Sequence, residues 1–412
     1  MARARLHPPA PRPPSGAAAR TVVSGAGRGV LGGSVLLVGG GWAAGYPEPV
    51  LLGLAGLLAV AVAVAWVLPE AGVVAARSLA PASSVRGGYT TATVTVTRVG
   101  RRARRDLRLS DGCVGRRVDL RVPLPRPGQD RVARYRVPTP RRGRVEVGPL
   151  EIVVGDPFGL CRRVYRFEAV TELVVRPRTV VLPAPPSGRD RHPDGSSWQA
   201  VLGVASEFHA LRPYVPGDDA RLVHWRSSAR SGSLVVRQMA DVSLPRTTVL
   251  LDTGQGDSPS GDRNPAAWSE LFELAVDVCA TVACAAVSAG FPVRMVADGR
   301  TIGDGADAGT LLDALAGVEP GGASGLARAV AEVSRGRGGG TLVVVTTAEA
   351  ADASRAVAPV VRKFDRTVVI RTAPRAVGAG PAPTGARPPG TAVVAVADLV
   401  DLPALWDRAA RG

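Results

Sequence analysis

Residues 50–68 read VLLGLAGLLAVAVAVAWVL, an uncharged apolar run of nineteen. A helix needs ~20 such residues to cross a ~30 Å hydrocarbon core, so the run predicts a membrane span. A second uncharged run, VLGGSVLLVGGGWAAGY at 30–46, is shorter and richer in glycine and predicts a companion span. Pro47, Glu48 and Pro49 form the turn between them. Trp42, Tyr46 and Trp66 stand near the ends of the two runs, where amphipathic rings favour the headgroup zone. Two buried helices of a soluble protein, or a cleaved signal peptide, compete with this reading; the long lead-in and the immediate second run count against the signal peptide.

Basic residues beside a span stay on the cytoplasmic side. Arg3, Arg5, Arg12, Arg20 and Arg28 precede the first run, the turn carries no base, and Arg77, Arg86, Arg98 and Arg101 follow the second. The expectation is a multi-pass plasma-membrane protein with both termini and its soluble part cytoplasmic. Residues 1–28 read as a disordered basic tail and 29–69 as the transmembrane hairpin. The net charge is +16 from 51 basic residues, of which Lys363 is the only lysine. Guanidinium suits phosphate, carboxylate and anionic lipid alike, so charge alone does not select a partner. Cys113, Cys161, Cys279 and Cys284 form no CxxC pair and predict neither a disulfide framework nor a zinc site.

Residues 72–182 predict a β-rich domain. YTTATVTVT at 89–97 alternates strictly, and further β runs recur at about ten-residue spacing between Pro and Gly, the pattern of a small antiparallel sandwich. Residues 101–145 hold fifteen arginines against four aspartates. A solvated face, attraction to anionic lipid and nucleic-acid binding compete for that surface; without interleaved exposed aromatics or a recognition-helix motif, nucleic acid is the weakest. The turn Gly155-Asp156-Pro157-Phe158-Gly159 reads as structure, not chemistry.

Residues 183–240 read as a linker and a dense motif, EFHALRPYVPGDDARLVHWRSSARSGSLVVR at 207–237. Glu207, Asp218 and Asp219 stand among Arg212, Arg221, Arg226, Arg230 and Arg237, with Gly217 at a turn and Tyr214, Trp225 and Leu234 as apolar anchors. Charges at this density predict bidentate pairing in a fixed network that doubles as a docking face. His224, Asp218 and Ser227 or Ser228 supply the residue types of a hydrolytic triad, and His209, Asp218, Asp219 and His224 those of a metal site, but no Gly-x-Ser-x-Gly elbow accompanies them.

Residues 241–412 alternate strand and helix. TTVLLDT at 247–253 is a buried strand followed by a polar loop and an apolar helix over 266–289; strands at 292–298 and 341–347, helices near 307–317, 324–335 and 349–362, and strands TVVIRT and TAVVAVA follow. The pattern specifies a doubly wound, mostly parallel sheet with Asp252 at a strand's carboxyl end, where ligands bind in such folds. No phosphate-cradling glycine motif follows a strand.

The pattern Glu207-Phe208, Arg212, Tyr214, Gly217-Asp218-Asp219, Arg221, Trp225-Arg226, Ala229-Arg230, Leu234, Val236-Arg237 resembles the signature of the family called domain of unknown function 58. Arg142-Gly143-Arg144, Gly148-Pro149 and Asp156-Pro157-Phe158-Gly159-Leu160 resemble its upstream motif. His224 departs from it, the family often having Asp before the Trp. The resemblance implies two membrane helices, a β domain, a von Willebrand factor A-like C-terminal domain and a MoxR-type AAA+ ATPase partner. Such a domain's metal site wants Asp-x-Ser-x-Ser, because hydroxyls and a carboxylate give Mg²⁺ hard oxygen ligands; here Gly254 and Gly256 replace both serines after Asp252. The expectation is therefore a multidomain α+β, non-enzymatic, cofactor-free scaffold or adaptor at the inner membrane face. A membrane-associated hydrolase, and lipid or nucleic-acid binding through the β domain, are the alternatives.

Overall fold

The computed structural model describes residues 18–68, 73–98, 107–123, 125–126, 129–167, 170–185, 206–216, 218–241, 246–254, 265–321, 325–374 and 391–411. The chain is a mixed α+β protein of two compact units, Met1–Arg176 and Pro177–Gly412.

The first unit opens with strand β1 (Ala18–Val23), which leads through Ser24 into helix α1 (Gly25–Ala44) and then α2 (Pro47–Val67). Ser24 caps α1, its Oγ accepting the Gly27 N–H at 3.0 Å. Gly45 ends the helix with φ 75°, a left-handed conformation that suits glycine. Proline at the start of α2 costs nothing, since first-turn N–H groups lack helical partners. The two helices lie side by side over small residues: a Cβ on Gly56 would fall 2.1 Å from Ser34 Oγ, and one on Gly53 2.7 Å from the Ser34 carbonyl oxygen. Two described helices are long and apolar enough to cross a membrane. These are α2, with mean hydropathy 2.6 and 22% of its span buried, and the core helix starting at Ala266, with 1.8 and 72%. Leu51, Leu52, Leu54 and Leu58 of α2 stay exposed.

The expected disordered tail over 1–28 needs correction in its described part. Residues 18–23 form β1, which pairs antiparallel with β9 (Cys161–Phe167) from Ala18↔Arg166 to Val23↔Cys161. Composition argued for disorder, but an open ladder edge on β9 supplies hydrogen bonds that composition does not reveal. Residues 1–17 lie outside the described residues.

Two sheets follow. Strands β2 (Val73–Ala80), β4 (Tyr89–Arg98) and β7 (Asp130–Pro138) form one, in the order β2-β4-β7. The other has seven strands: β1, β3 (Ser83–Val85), β5 (Leu107–Cys113), β6 (Arg116–Val122), β8 (Gly143–Gly155), β9 and β10 (Thr171–Arg176). In β4 the alternation predicted from sequence holds: Thr90, Ala92, Val94 and Val96 are buried, the last three in one core with Leu109, Leu150, Ile152 and Leu173 of the second sheet. Across that core runs a buried clamp. Arg77 of β2 and Tyr135 of β7 both reach Asp111 of β5, the arginine at 2.7 Å, with Arg77 and Asp111 side chains 1% and 2% exposed. Arg77 also donates to Thr171 of β10 at 3.1 Å. Burial and the bond to Asp111 push the Tyr135 phenol far above its ordinary range, so it stays protonated and donates. Replacing Asp111 by Ala would remove the carboxylate that faces a buried guanidinium and accepts the Tyr135 hydroxyl, at a cost of about 3–5 kcal/mol. Limited proteolysis of the full chain should therefore cut Asp111→Ala much faster within 73–176 and leave 246–411 as resistant as before; equal resistance of both chains would refute the clamp.

The second unit is built on six strands in the order β15-β14-β13-β16-β17-β18. Strands β13 (Thr247–Leu251), β14 (Val293–Ala297), β16 (Thr341–Thr346), β17 (Arg366–Thr372) and β18 (Thr391–Val396) are parallel. β15 (Arg300–Asp304) is an antiparallel edge. Helices α4 (Pro265–Ser288), α5 (Ala308–Ala316) and α8 (Leu402–Arg411) cover one face, sharing a core with Val249, Leu251 and Met295. Helices α6 (Gly325–Arg335) and α7 (Ala350–Val361) cover the other, over Leu250, Val296 and Val344. Burial on both faces explains why β13 and β16 read as unbroken apolar runs. β15 was not anticipated, although Asp298 and Gly299, with φ 49° and 69°, form the Asp-Gly turn that favours a two-residue hairpin. Asp277, buried in α4, accepts the Arg178 Nε at 3.0 Å and its backbone N–H at 2.8 Å.

Candidate functional site

The motif at 207–237 folds as an antiparallel hairpin of β11 (Ser206–Pro213) and β12 (Val235–Asp241), pairing Glu207↔Ala240, Leu211↔Arg237 and Arg212↔Val236. The register slips between Phe208 and Ala210, which puts His209 in a bulge. The long connection is closed at its base by the Tyr214 N–H donating to the Leu234 carbonyl at 2.9 Å. Asp219 starts a 3₁₀ turn over Ala220–Leu222 by accepting the Arg221 N–H at 2.9 Å. Val223 then bridges to Val236, and both are buried. Helix α3 (Trp225–Ser231) is capped by His224, whose Nδ1 accepts the Ser227 N–H at 3.2 Å, and is ended by Gly232 at φ 69°. Buried Ser228 ties α3 to β12, its Oγ donating to the His224 carbonyl and accepting the Val235 N–H at 2.9 Å.

The expected charge network contracts, among the described side chains, to one bidentate pair. Arg212 holds Asp218 through Nη1 and Nη2 at 2.7 and 2.6 Å, and Asp218 also accepts the Val215 N–H at 2.9 Å. These bonds, the guanidinium first, hold the Asp218 carboxyl below its ordinary value and raise Arg212. Arg221, Arg226, Arg230 and Arg237 are exposed and have no ion pair among the described residues. Trp225 is 68% exposed, with Val215, Leu222 and Leu234 also open to solvent and Tyr214 half-buried. Gly217 and the side chains of Glu207 and His209 lie outside the description. The sequence reading weighed Ser228 only as a triad candidate and did not single out Val223; their structural roles depend on which residues the hairpin brings opposite them.

The triad geometry is not assembled. His224 Nδ1 lies 2.8 Å from Ser227 Oγ, but this is the helix cap, and Asp218 is engaged by Arg212. No cluster of three metal-ligating side chains occurs among the described residues. Asp252, at the carboxyl end of β13, accepts the Gly254 N–H on Oδ1 at 2.9 Å and the Thr346 hydroxyl on Oδ2 at 2.6 Å. The Leu326 N–H of α6 is a further donor. A Cβ on Gly325 would fall 2.3 Å from the Gly254 nitrogen, so glycine lets the helix start close to this carboxylate.

Residues 210–370 match the family model described as Protein of unknown function DUF58. The DUF58 match runs from β11 through the hairpin and across the parallel sheet into β17. It therefore supports the resemblance read from Arg212, Trp225 and Arg237. No curated protein and no solved structure matches the chain.

Two outcomes follow from this geometry. Because the folded-state value of Asp218 is depressed, its bond to Arg212 stabilises the loop above the carboxylate's free value of 3.8 and is lost as pH falls through the lower folded value. Arg212→Ala should speed amide exchange at 214–222 several-fold at pH 7, and the difference from the parent chain should vanish in acid beyond that lower value. Asp252 shifts the other way, raised by burial against three opposing hydrogen bonds. Its contribution is full below 3.8 and declines as pH rises through the folded value. Measured across that window, the denaturation temperature of Asp252→Asn should gain on the parent's as pH rises; a constant difference would exclude this account.

Proposed function

We propose that this chain is a membrane-anchored, cytoplasm-facing scaffold or adaptor that presents the DUF58 hairpin to a protein partner, a MoxR-type AAA+ ATPase. The observation that carries the reading is the division of labour within the hairpin. Val223, Ser228 and Val236 are buried and bonded, and Arg212 is clamped, while Trp225 and four arginines are left in water. A large exposed aromatic beside unpaired guanidiniums is the composition of an interface centre, since Trp and Arg dominate binding energy at protein contacts. The complementary surface is an apolar pocket rimmed with carboxylates.

The anchor in this reading is α1 and α2 as a transmembrane hairpin, supported by the exposed leucines of α2 and its hydropathy. The arginines on either side of the two helices support a cytoplasmic placement of the soluble units. The second unit serves as a von Willebrand A-like platform. Its residues do not fit the metal such domains hold, because glycine stands at Gly254 and the Asp252 oxygens are already engaged by Gly254 and Thr346. A hydrolase centred on 207–237 lacks a carboxylate on His224 among the described residues.

Photocrosslinking from position 225 in native membranes tests the proposal. An AAA+ ATPase should be captured, and reversing the charge at Arg226 and Arg230 should cut the yield at least tenfold, the loss of roughly 1.4 kcal/mol of binding. Capture that is indifferent to those arginines, or none of an ATPase in repeated attempts, would overturn it.

A further inference from the structure

The turn at 155–160 is more than a connection. Buried Asp156 builds it, Oδ1 accepting the Phe158 N–H at 2.7 Å and the other oxygen taking the Cys161 N–H. Gly159, at φ 71°, supplies the left-handed residue that the turn requires. None of this uses the Phe158 side chain, which is 67% exposed at the tip.

The turn is locked to both helices. The Ser24 N–H donates to the Leu160 carbonyl at 2.8 Å, and Ser24 Oγ to the Gly159 carbonyl at 2.6 Å. A Cβ on Gly27 would fall 2.2 Å from the Leu160 oxygen, so α1 can approach this closely only with glycine there. Leu160 and Cys161 share an apolar cluster with Val60, Ala63 and Val67 of α2. Val60 lies about 10 Å of helix rise before Val67. The 21 residues of α2 make about 31 Å of helix, no more than a hydrocarbon core requires. Residues packed on its last two turns therefore lie within about 10 Å of one boundary of the hydrocarbon core.

Charge at this level agrees. Arg20 and Arg162 are exposed on paired strands, and Arg28 is exposed in the first turn of α1. Arg163 donates to the Leu68 carbonyl just past the end of α2. Trp66, 47% exposed, stands in the last turn of α2. Guanidiniums and aromatic rings near the ends of the two helices make the composition of a membrane interface.

We infer that the Asp156–Leu160 turn is itself a membrane contact, with Phe158 seated where headgroups meet acyl chains in an anionic phospholipid bilayer and Arg20, Arg28 and Arg162 against the phosphates. This rests on α2 being a span, and the test separates the two claims. In the full chain in native membranes, p-benzoylphenylalanine is placed at Phe158, at Leu58 on the exposed face of α2, or at Val132 on β7, and phospholipid adducts are read by mass spectrometry after illumination. Adducts are expected from 58 and 158 and not from 132. Adducts from 58 with none from 158, adducts to protein alone at 158, or equal lipid labelling from 132 would overturn the inference and leave the span intact. No lipid adduct from 58 would remove the span and this contact with it.

Discussion

A carboxylate taken out of water must find donors, and four aspartates buried among the described residues show how much of the architecture follows from that. Asp111 joins two sheets through Arg77 and Tyr135. Asp156 shapes the turn on which α1 and α2 rest. Asp252 ties β13 to β16 and to the start of α6. Asp277 fastens α4 to the backbone at Arg178. Asp111, Asp252 and Asp277 join elements distant in sequence, while Asp156 closes a local turn; loss of any one would leave its donors without their acceptor.

The arginines divide accordingly. Those that answer a buried or half-buried acid, Arg77, Arg178 and Arg212, are held in place. Arg226 and Arg230 on α3, and Arg20, Arg28 and Arg162 beside the helix pair, have no ion pair among the described residues, and both sets accompany an exposed aromatic, Trp225 in one case and Phe158 in the other. An unpaired guanidinium beside an exposed ring is well suited to a partner and contributes little to folding, because exposed charges interact weakly in water. Both binding proposals, one for protein and one for lipid, rest on this contrast.

Much was legible beforehand wherever periodicity carried the information. The apolar run at 50–68, the alternation in β4 and the continuous strands β13 and β16 each declare their structure, because a single face or a single environment repeats along them. The motif residues Arg212, Asp218 and Trp225 could be named from their types and spacing. Their division into one clamp and several free cations could not, since carboxylates and guanidiniums close in sequence need not meet in space.

Local chemistry thus determined the apolar helix, the β alternation, the parallel-sheet pattern and the density of charge around Trp225, all properties of short windows. Tertiary structure decided the strand at Ala18–Val23, the clamp at Asp111, the anchoring of α3 by Ser228 and the docking of Gly159, Leu160 and Cys161 against α1 and α2. The physical reason is the same in each case: a hydrogen bond or contact between residues far apart in the chain exists only once the fold brings them together, and no pattern within either segment encodes its partner.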